Sequence, residues 1–144
     1  MTPVKSGFFV FSYLALVMKN TKWIGLFGAV LLIIACFMPW YHVPRVDIII
    51  SGVDGDRFGK PGYWHFFLVL FYIPFTMLPR LWAKQWNLLV TGINLAWMIR
   101  NFFVLAICSG GICPERKFGI WLVMIASIIM LIAALFPDVK LKQK

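Results

Sequence analysis

Long, predominantly apolar runs constrain this chain more than any other feature of its sequence. Four of them can cross about 30 Å of hydrocarbon as helices that rise about 1.5 Å per residue. They cover residues 23–41, 63–83, 86–107 and 118–136. Hydrophobic residues make up 62% of the chain and charged residues 13%, whereas soluble domains contain about 45–50% and about 25%. The sequence therefore predicts an all-α integral membrane protein, a bundle of four transmembrane helices.

The residues before the first run form an apolar stretch of a different kind. Residues 8–18 are apolar, but 11 residues are too few to cross a bilayer unaided. The stretch resembles the middle of a signal peptide, although no small-residue cleavage site follows it. Met18 opens the segment MKNTKWIG, a basic start typical of the residues before a transmembrane helix. We therefore expect 1–17 to be an interfacial or poorly ordered N-terminal extension, and 18–144 to be a single four-helix membrane domain.

The net charge of +9 comes mainly from lysines and arginines at the ends of the apolar runs. In such positions they orient helices and contact anionic lipid headgroups, whereas nucleic-acid binding needs a basic stripe on a soluble face. With both termini in the cytoplasm, eight of these residues lie inside and five lie in the outer loops. The pattern predicts an N-in, C-in membrane protein, with the lipid bilayer as a partner and no nucleic acid.

The longer outer loop, residues 42–62, joins the first two runs. Its VDIII segment, 46–50, alternates weakly and is rich in β-branched residues, so a short β segment is expected there. The following GVDGDRFGKPG is dense in turn-forming residues, and Pro61 is well placed to open the second helix.

The shorter outer loop contains CSGGICPERK, residues 108–117. Cys108 and Cys113 lie on the side predicted to be oxidising, and the SGGI insert gives the backbone freedom to close a small ring. We therefore predict a Cys108–Cys113 disulfide that fixes the turn, with a stabilisation of about 2 kcal/mol from chain entropy. Cys36, inside the first run, is interpreted as a small buried apolar residue.

Two other interpretations of these cysteines would give the chain a chemical activity. Four-helix membrane thiol oxidoreductases carry cysteines near the outer face, but their relay needs a second, close CxxC pair. This chain has three cysteines and no CxxC. A zinc site could combine Cys108 and Cys113 with His42 and His65, but these residues come from three separate places in the chain. We therefore predict no catalytic residue, no cofactor-binding residue and no metal site.

Polar residues recur along the third run at a helical spacing. Asn87, Asn94 and Asn101 are seven residues apart. Thr91 and Met98 lie between them on the same face. Amides inside a bilayer are expected to face partner helices rather than acyl chains. The run therefore predicts an intramembrane polar seam, which either sets the register of neighbouring helices or lines a path for a ligand or ion. The predicted seam comprises Asn87, Thr91, Asn94, Arg100 and Asn101.

Arg100 is the charged member of this predicted seam. It lies about 10 Å inside the outer end of the third run, where a charge is costly unless it reaches the interface or forms an ion pair. One interpretation is a structural ion pair that closes the outer end of the bundle, and the other is a site for an anion or a lipid headgroup. The candidate carboxylate partners are Asp47, Asp54, Asp56 and Glu115.

Several short motifs resemble a group of bacterial proteins. They are PW near the end of the first run, SG and GKPG in the longer loop, NLAWMIRN in the third run, and CSGGICPERKFGI after it. Together they are similar to a family of small four-span bacterial membrane proteins without an assigned activity, from about Lys19 to Asp138. The resemblance implies a four-span fold in the bacterial inner membrane and gives no residue a functional role.

These observations favour a non-enzymatic accessory or scaffold subunit that packs against a partner membrane protein or a second copy of the chain. Two alternatives remain open. The first is a small-solute or ion transporter, or a pore, that uses Arg100 and the face formed by the three asparagines. The second is a membrane thiol–disulfide oxidoreductase that uses Cys108 and Cys113.

Overall fold

The structure, a computed structural model, describes residues 20–55 and 59–137. The predicted N-terminal extension, 1–17, lies outside the described residues. Four α-helices and three short strands occur in the described ranges. In chain order they are α1 (Thr21–Phe37), β1 (Pro39–Val43), β2 (Ile48–Ser51), α2 (Gly62–Met77), α3 (Leu81–Val104), β3 (Glu115–Arg116) and α4 (Phe118–Leu135).

Small residues bring α1 and α4 close together. A Cβ added at Gly28 would lie 3.1 Å from the Met130 side chain and 3.4 Å from the Ala126 carbonyl oxygen. On the α4 side, Ala126 and Ala133 are buried. Short side chains allow helix backbones to approach closely.

A three-stranded antiparallel sheet covers the end of the bundle where α1 and α3 end and α2 and α4 begin. β1 is its central strand, with β2 on one side and β3 on the other. The Trp40 indole donates to the Ala35 carbonyl at 2.9 Å, and the Tyr41 hydroxyl donates to the Phe102 carbonyl at 2.8 Å. Burial raises the pKa of Tyr41, and Arg116 partly offsets that shift. The phenol therefore remains a hydrogen-bond donor at neutral pH.

The prediction of four transmembrane helices is wrong. In the described ranges, α4 alone is long and apolar enough to cross a membrane, judged by length and composition, and 44% of it is buried. α1 and α2 are apolar but contain 17 and 16 residues. α3 has 24 residues, but its asparagines, Lys84 and Arg100 lower its hydropathy. One such helix is weak evidence of a membrane location, since a buried core helix of a soluble protein passes the same test. With one candidate among the four described helices, a multi-pass four-helix membrane bundle is not supported.

Two prolines and the sheet explain the shorter helices. α1 ends at Phe37, before the predicted end at Tyr41, because Pro39 begins β1. α2 ends at Met77, and Leu78 is extended, as expected of a residue that precedes a proline. The fold is therefore not all-α. The β segment expected in the longer loop is part of a sheet that also recruits Pro39–Val43 and Glu115–Arg116.

The Cys108–Cys113 disulfide is present, as predicted. It closes a tight turn in which Ser109 and Ile112 exchange two backbone hydrogen bonds of 3.0 and 3.1 Å. Gly110 and Gly111 have φ values of 59° and 77°, a region in which residues with a Cβ are strained. The disulfide therefore holds a turn that the glycines already favour.

We expect Gly25→Ala to lower the melting temperature of the protein. A Cβ at this position would contact the Tyr72 hydroxyl and lie 3.0 Å from the Ala133 Cβ. α1 would then have to move away from α2 and α4, and such overpacking costs about 1–3 kcal/mol. Thermal unfolding followed by circular dichroism measures the shift.

Gly92→Ala is the matched control, because Gly92 is also inside a helix but a Cβ there would have no atom within 4 Å. Alanine has a higher helix propensity than glycine, so this variant should have an unchanged or higher melting temperature. The gain in the free energy of unfolding should be up to about 1 kcal/mol. An equal loss of stability in both variants would contradict the close approach at Gly25.

Candidate functional site: a buried polar seam

The structure places four of the five predicted seam residues on the inner face of α3. Asn87, Thr91, Asn94 and Asn101 are all buried, and so is Met98 between them. An alternating spacing of four and three residues keeps side chains on one side of an α-helix, which here faces the interior of the bundle. The seam thus consists of neutral polar groups inside an otherwise apolar core.

Asn94 joins three helices at the centre of the seam. Its Oδ1 lies 2.6 Å from His65 Nδ1 on α2, and its Nδ2 donates to Ser127 Oγ on α4 at 3.0 Å. Because the amide oxygen only accepts, the proton of this pair belongs to His65 Nδ1, which leaves Nε2 of the neutral ring as an acceptor. His65 Nε2 is buried and has no hydrogen-bond partner in the described part of the chain.

A second group of polar side chains occupies the end of the bundle opposite the sheet. Asn87 Nδ2 donates to Thr76 Oγ1 at 3.1 Å, and that hydroxyl donates to the Tyr72 carbonyl at 2.8 Å. Lys84 Nζ donates to the Thr76 carbonyl at 2.7 Å. Thr91 Oγ1 lies 3.0 Å from the Asn87 carbonyl one turn away. These bonds connect the end of α2 to the start of α3.

A small cavity of about 10 Å³ lies beside this second group. Its wall includes Tyr72, Thr76 and Asn87, together with Ala133 and Ala134 of α4. Within the described ranges, the Tyr72 hydroxyl and the Asn87 Oδ1 are buried without a hydrogen-bond partner. The cavity has room for about one water molecule and is far too small for an organic ligand.

Arg100 does not belong to the seam. It is exposed, and its guanidinium carbon lies 4.8 Å from the centroid of the Trp97 ring. In the described ranges no carboxylate forms an ion pair with it: Asp47 contacts His42 at 2.9 Å, and Glu115 contacts Lys117 at 3.4 Å. Asp56, another candidate partner, lies outside the described residues. The path predicted to combine Arg100 with the asparagine face is therefore split between the outside and the inside of α3.

The cysteines and histidines that were considered as zinc ligands do not come together either. Cys108 and Cys113 bond to each other, and Cys36 is buried as a free thiol. His42 lies at the sheet with Asp47, whereas His65 is in the core with Asn94. Among the described residues, no group of three or more histidines, cysteines and carboxylates could hold a metal ion.

Sequence reasoning missed the partners of Asn94. His65 was considered as a metal ligand, and Ser127 was not singled out. The available signal was the few polar residues in the two apolar runs that face the asparagine-bearing run, among them His65 and Thr76 in the second run and Ser127 in the fourth. Which polar residues meet depends on the rotation of each helix, and the sequence of one helix does not show that rotation.

The geometry suits a structural role for the seam. The side-chain bonds of Asn87 and Asn94 fix one helix against another, and none of the bonds presents a charged or nucleophilic group to a space that admits a substrate. Comparison with known proteins adds no family: no family model matches the chain, and no curated protein or solved structure is significantly similar to it. The resemblance to small bacterial membrane proteins stays a prediction.

We expect Asn94→Ala to lower the free energy of unfolding more than Ser127→Ala does. The first substitution leaves both the His65 ring and the Ser127 hydroxyl unpaired, and each such group costs about 1–3 kcal/mol. The double variant should lose less than the sum of the two, with a coupling of about 0.5–3 kcal/mol. Denaturant unfolding followed by tryptophan fluorescence measures all three, and Ile93→Ala on the exposed side of α3 is the control. Strictly additive losses would contradict a shared hydrogen bond.

Proposed function

We propose that this protein is a membrane-resident, non-enzymatic accessory protein. Its helices pack on one another through the polar seam, and its apolar outer surface contacts lipid and the helices of a partner. The observation that carries this proposal is the large number of bulky apolar side chains exposed on every helix, around a core that also contains small residues and the polar seam. The proposal sets no number of membrane crossings.

Every helix exposes large apolar side chains. The exposed fractions are 63% for Phe27 of α1, 68% for Leu70 of α2, 63% for Phe103 of α3 and 51% for Ile125 of α4. A soluble monomer seldom exposes a contiguous apolar patch larger than about 300–600 Å². A surface with this composition on all four helices is favourable in contact with hydrocarbon and costly in water.

The interior of the bundle contains small and polar residues as well as larger apolar ones. On α4, the buried face includes Gly119, Ala126 and Ser127, whereas Trp121 and Ile132 are exposed. Helices in lipid gain nothing by hiding leucine from acyl chains, so they associate through small residues and interhelical hydrogen bonds. The seam and the glycine contacts of α1 supply both.

The accessory role follows from the surfaces that remain available to bind another molecule. The described polar groups of the core bond mainly to one another, so recognition of another molecule must use the outer surface or the sheet. The exposed rings and aliphatic side chains of the helices form most of that surface. Such a surface fits the transmembrane helices of another protein better than it fits a soluble substrate.

Alkaline carbonate extraction of membranes that contain the full chain tests the membrane location. Carbonate releases peripheral proteins and opens vesicles, so we expect this protein to stay in the pellet and to dissolve only with detergent. A soluble cytosolic protein and a known integral protein from the same cells serve as controls. Recovery of the folded chain in the carbonate supernatant would overturn the proposal.

Photo-crosslinking tests the accessory role. A photoreactive phenylalanine analogue replaces exposed apolar residues, one variant at a time: Phe27, Leu70 and Phe103. We expect at least one of these positions to yield a discrete protein adduct, identified by mass spectrometry, because a partner helix covers part of this surface. Val46, exposed on the turn between β1 and β2, is the control position away from the helices. Lipid adducts alone at all three helix positions would contradict the accessory role.

A further inference from the structure

We propose that the surface formed by the start of α2 and the outer end of α3 binds one anionic phospholipid. The phosphate lies at Lys60 and Arg100, and an acyl chain follows the exposed aromatic side chains of α2. This inference rests on the membrane location proposed above and adds a defined lipid site to it.

Two cations flank this surface, each next to an aromatic ring. Lys60 Nζ lies 5.5 Å from the centroid of the Tyr63 ring, and the Arg100 guanidinium carbon lies 4.8 Å from that of Trp97. Neither forms an ion pair with a carboxylate in the described part of the chain. Cations at the membrane interface attract anionic headgroups, and arginine matches the geometry of a phosphate.

A hydrogen bond holds the two cations at the same end of the bundle. Trp97 Nε1–H donates to the carbonyl of Pro61, the neighbour of Lys60, at 3.0 Å. The Trp97 ring also packs against Trp64 of α2, with 5.6 Å between the ring centroids. Lys60 therefore lies on the ring of Tyr63, and Arg100 on that of Trp97, which packs against the next residue of α2, Trp64.

An apolar groove begins beside these cations. It has a volume of about 270 Å³, and Tyr63, Trp64 and Phe67 line it. Exposed or half-exposed rings continue along the same face of α2, with centroid separations of 5.0 Å between Phe67 and Phe71 and 6.5 Å between Phe71 and Phe75. From residue 64 to residue 75 the helix rises about 16 Å, roughly half the thickness of a hydrocarbon core.

The order of these features matches an anionic phospholipid. Positive charge lies at one end, aromatic rings of the kind found at membrane interfaces lie next to it, and an apolar track of one leaflet's depth follows. A partner helix would also cover the aromatic face, but it would not account for two cations at the same end that have no carboxylate partner among the described residues. A zwitterionic lipid fits the track but has no net charge to pair with them.

The experiment measures lipid binding to the full chain in a mild detergent by native mass spectrometry. Phosphatidylglycerol and phosphatidylcholine with identical acyl chains are added separately, and the fraction of protein that retains one lipid is recorded. The variants are Lys60→Gln, Arg100→Gln, the double variant and Phe67→Ala. Arg45→Gln is the matched control, since it removes the same charge from an exposed position between β1 and β2. Circular dichroism confirms that each variant is folded.

We expect one phosphatidylglycerol to be retained in preference to phosphatidylcholine. Each charge substitution should weaken that binding about fivefold, and both together about thirtyfold, as expected for basic residues near an anionic surface. Phe67→Ala should weaken both lipids alike, and Arg45→Gln should change neither. Inorganic phosphate should not displace the lipid, because it lacks the chain that occupies the groove.

Equal retention of the two lipids, an equal loss with Arg45→Gln, or displacement by inorganic phosphate would each overturn the lipid site. These results are independent of the carbonate extraction. A protein that stays in the carbonate pellet but does not distinguish the two lipids keeps its proposed location and loses only this site.

Discussion

The hydrogen bonds of Asn94 are the interaction on which the arrangement of the helices depends. A buried amide whose donor or acceptor is unpaired costs free energy, and the partners of Asn94 come from two other helices. His65 sets the rotation of α2, and Ser127 sets that of α4. Because apolar contacts alone are compatible with many helix rotations, these two bonds select one of them.

The close packing of α1 completes what the seam begins. α1 contributes no side chain to the hydrogen bonds around Asn94, and it is held instead by the approach of Gly25 and Gly28 to α4 and Tyr72. Directional bonds therefore orient three helices, and shape complementarity places the fourth. Large apolar side chains such as Leu32, Met98 and Ile120 fill the core, and many others lie on the outer surface, where the proposed lipid and partner contacts lie.

The sequence predicted those features that depend on one segment at a time. The repeat of Asn87, Asn94 and Asn101 indicated a common face, and the short insert between Cys108 and Cys113 indicated a disulfide. Features that depend on two segments were missed or wrong. An apolar run without periodicity does not show where a helix gives way to a strand, so β1 was assigned to the first helix. Arg100 was grouped with Asn101, although one residue turns a helix by about 100°.

The position of β1 makes the two ends of the molecule mechanically unequal. This strand follows α1 directly. It accepts a hydrogen bond from the Lys117 amide at the start of α4, and the Tyr41 hydroxyl donates a hydrogen bond to α3. At that end, separating α1 from α4 would break backbone pairing of the sheet, and separating α3 would break the Tyr41 hydrogen bond. At the other end, Thr76, Lys84 and Asn87 form a few isolated bonds around a small cavity. The helices are therefore held more firmly at the sheet, and any opening of the bundle would start at the opposite end.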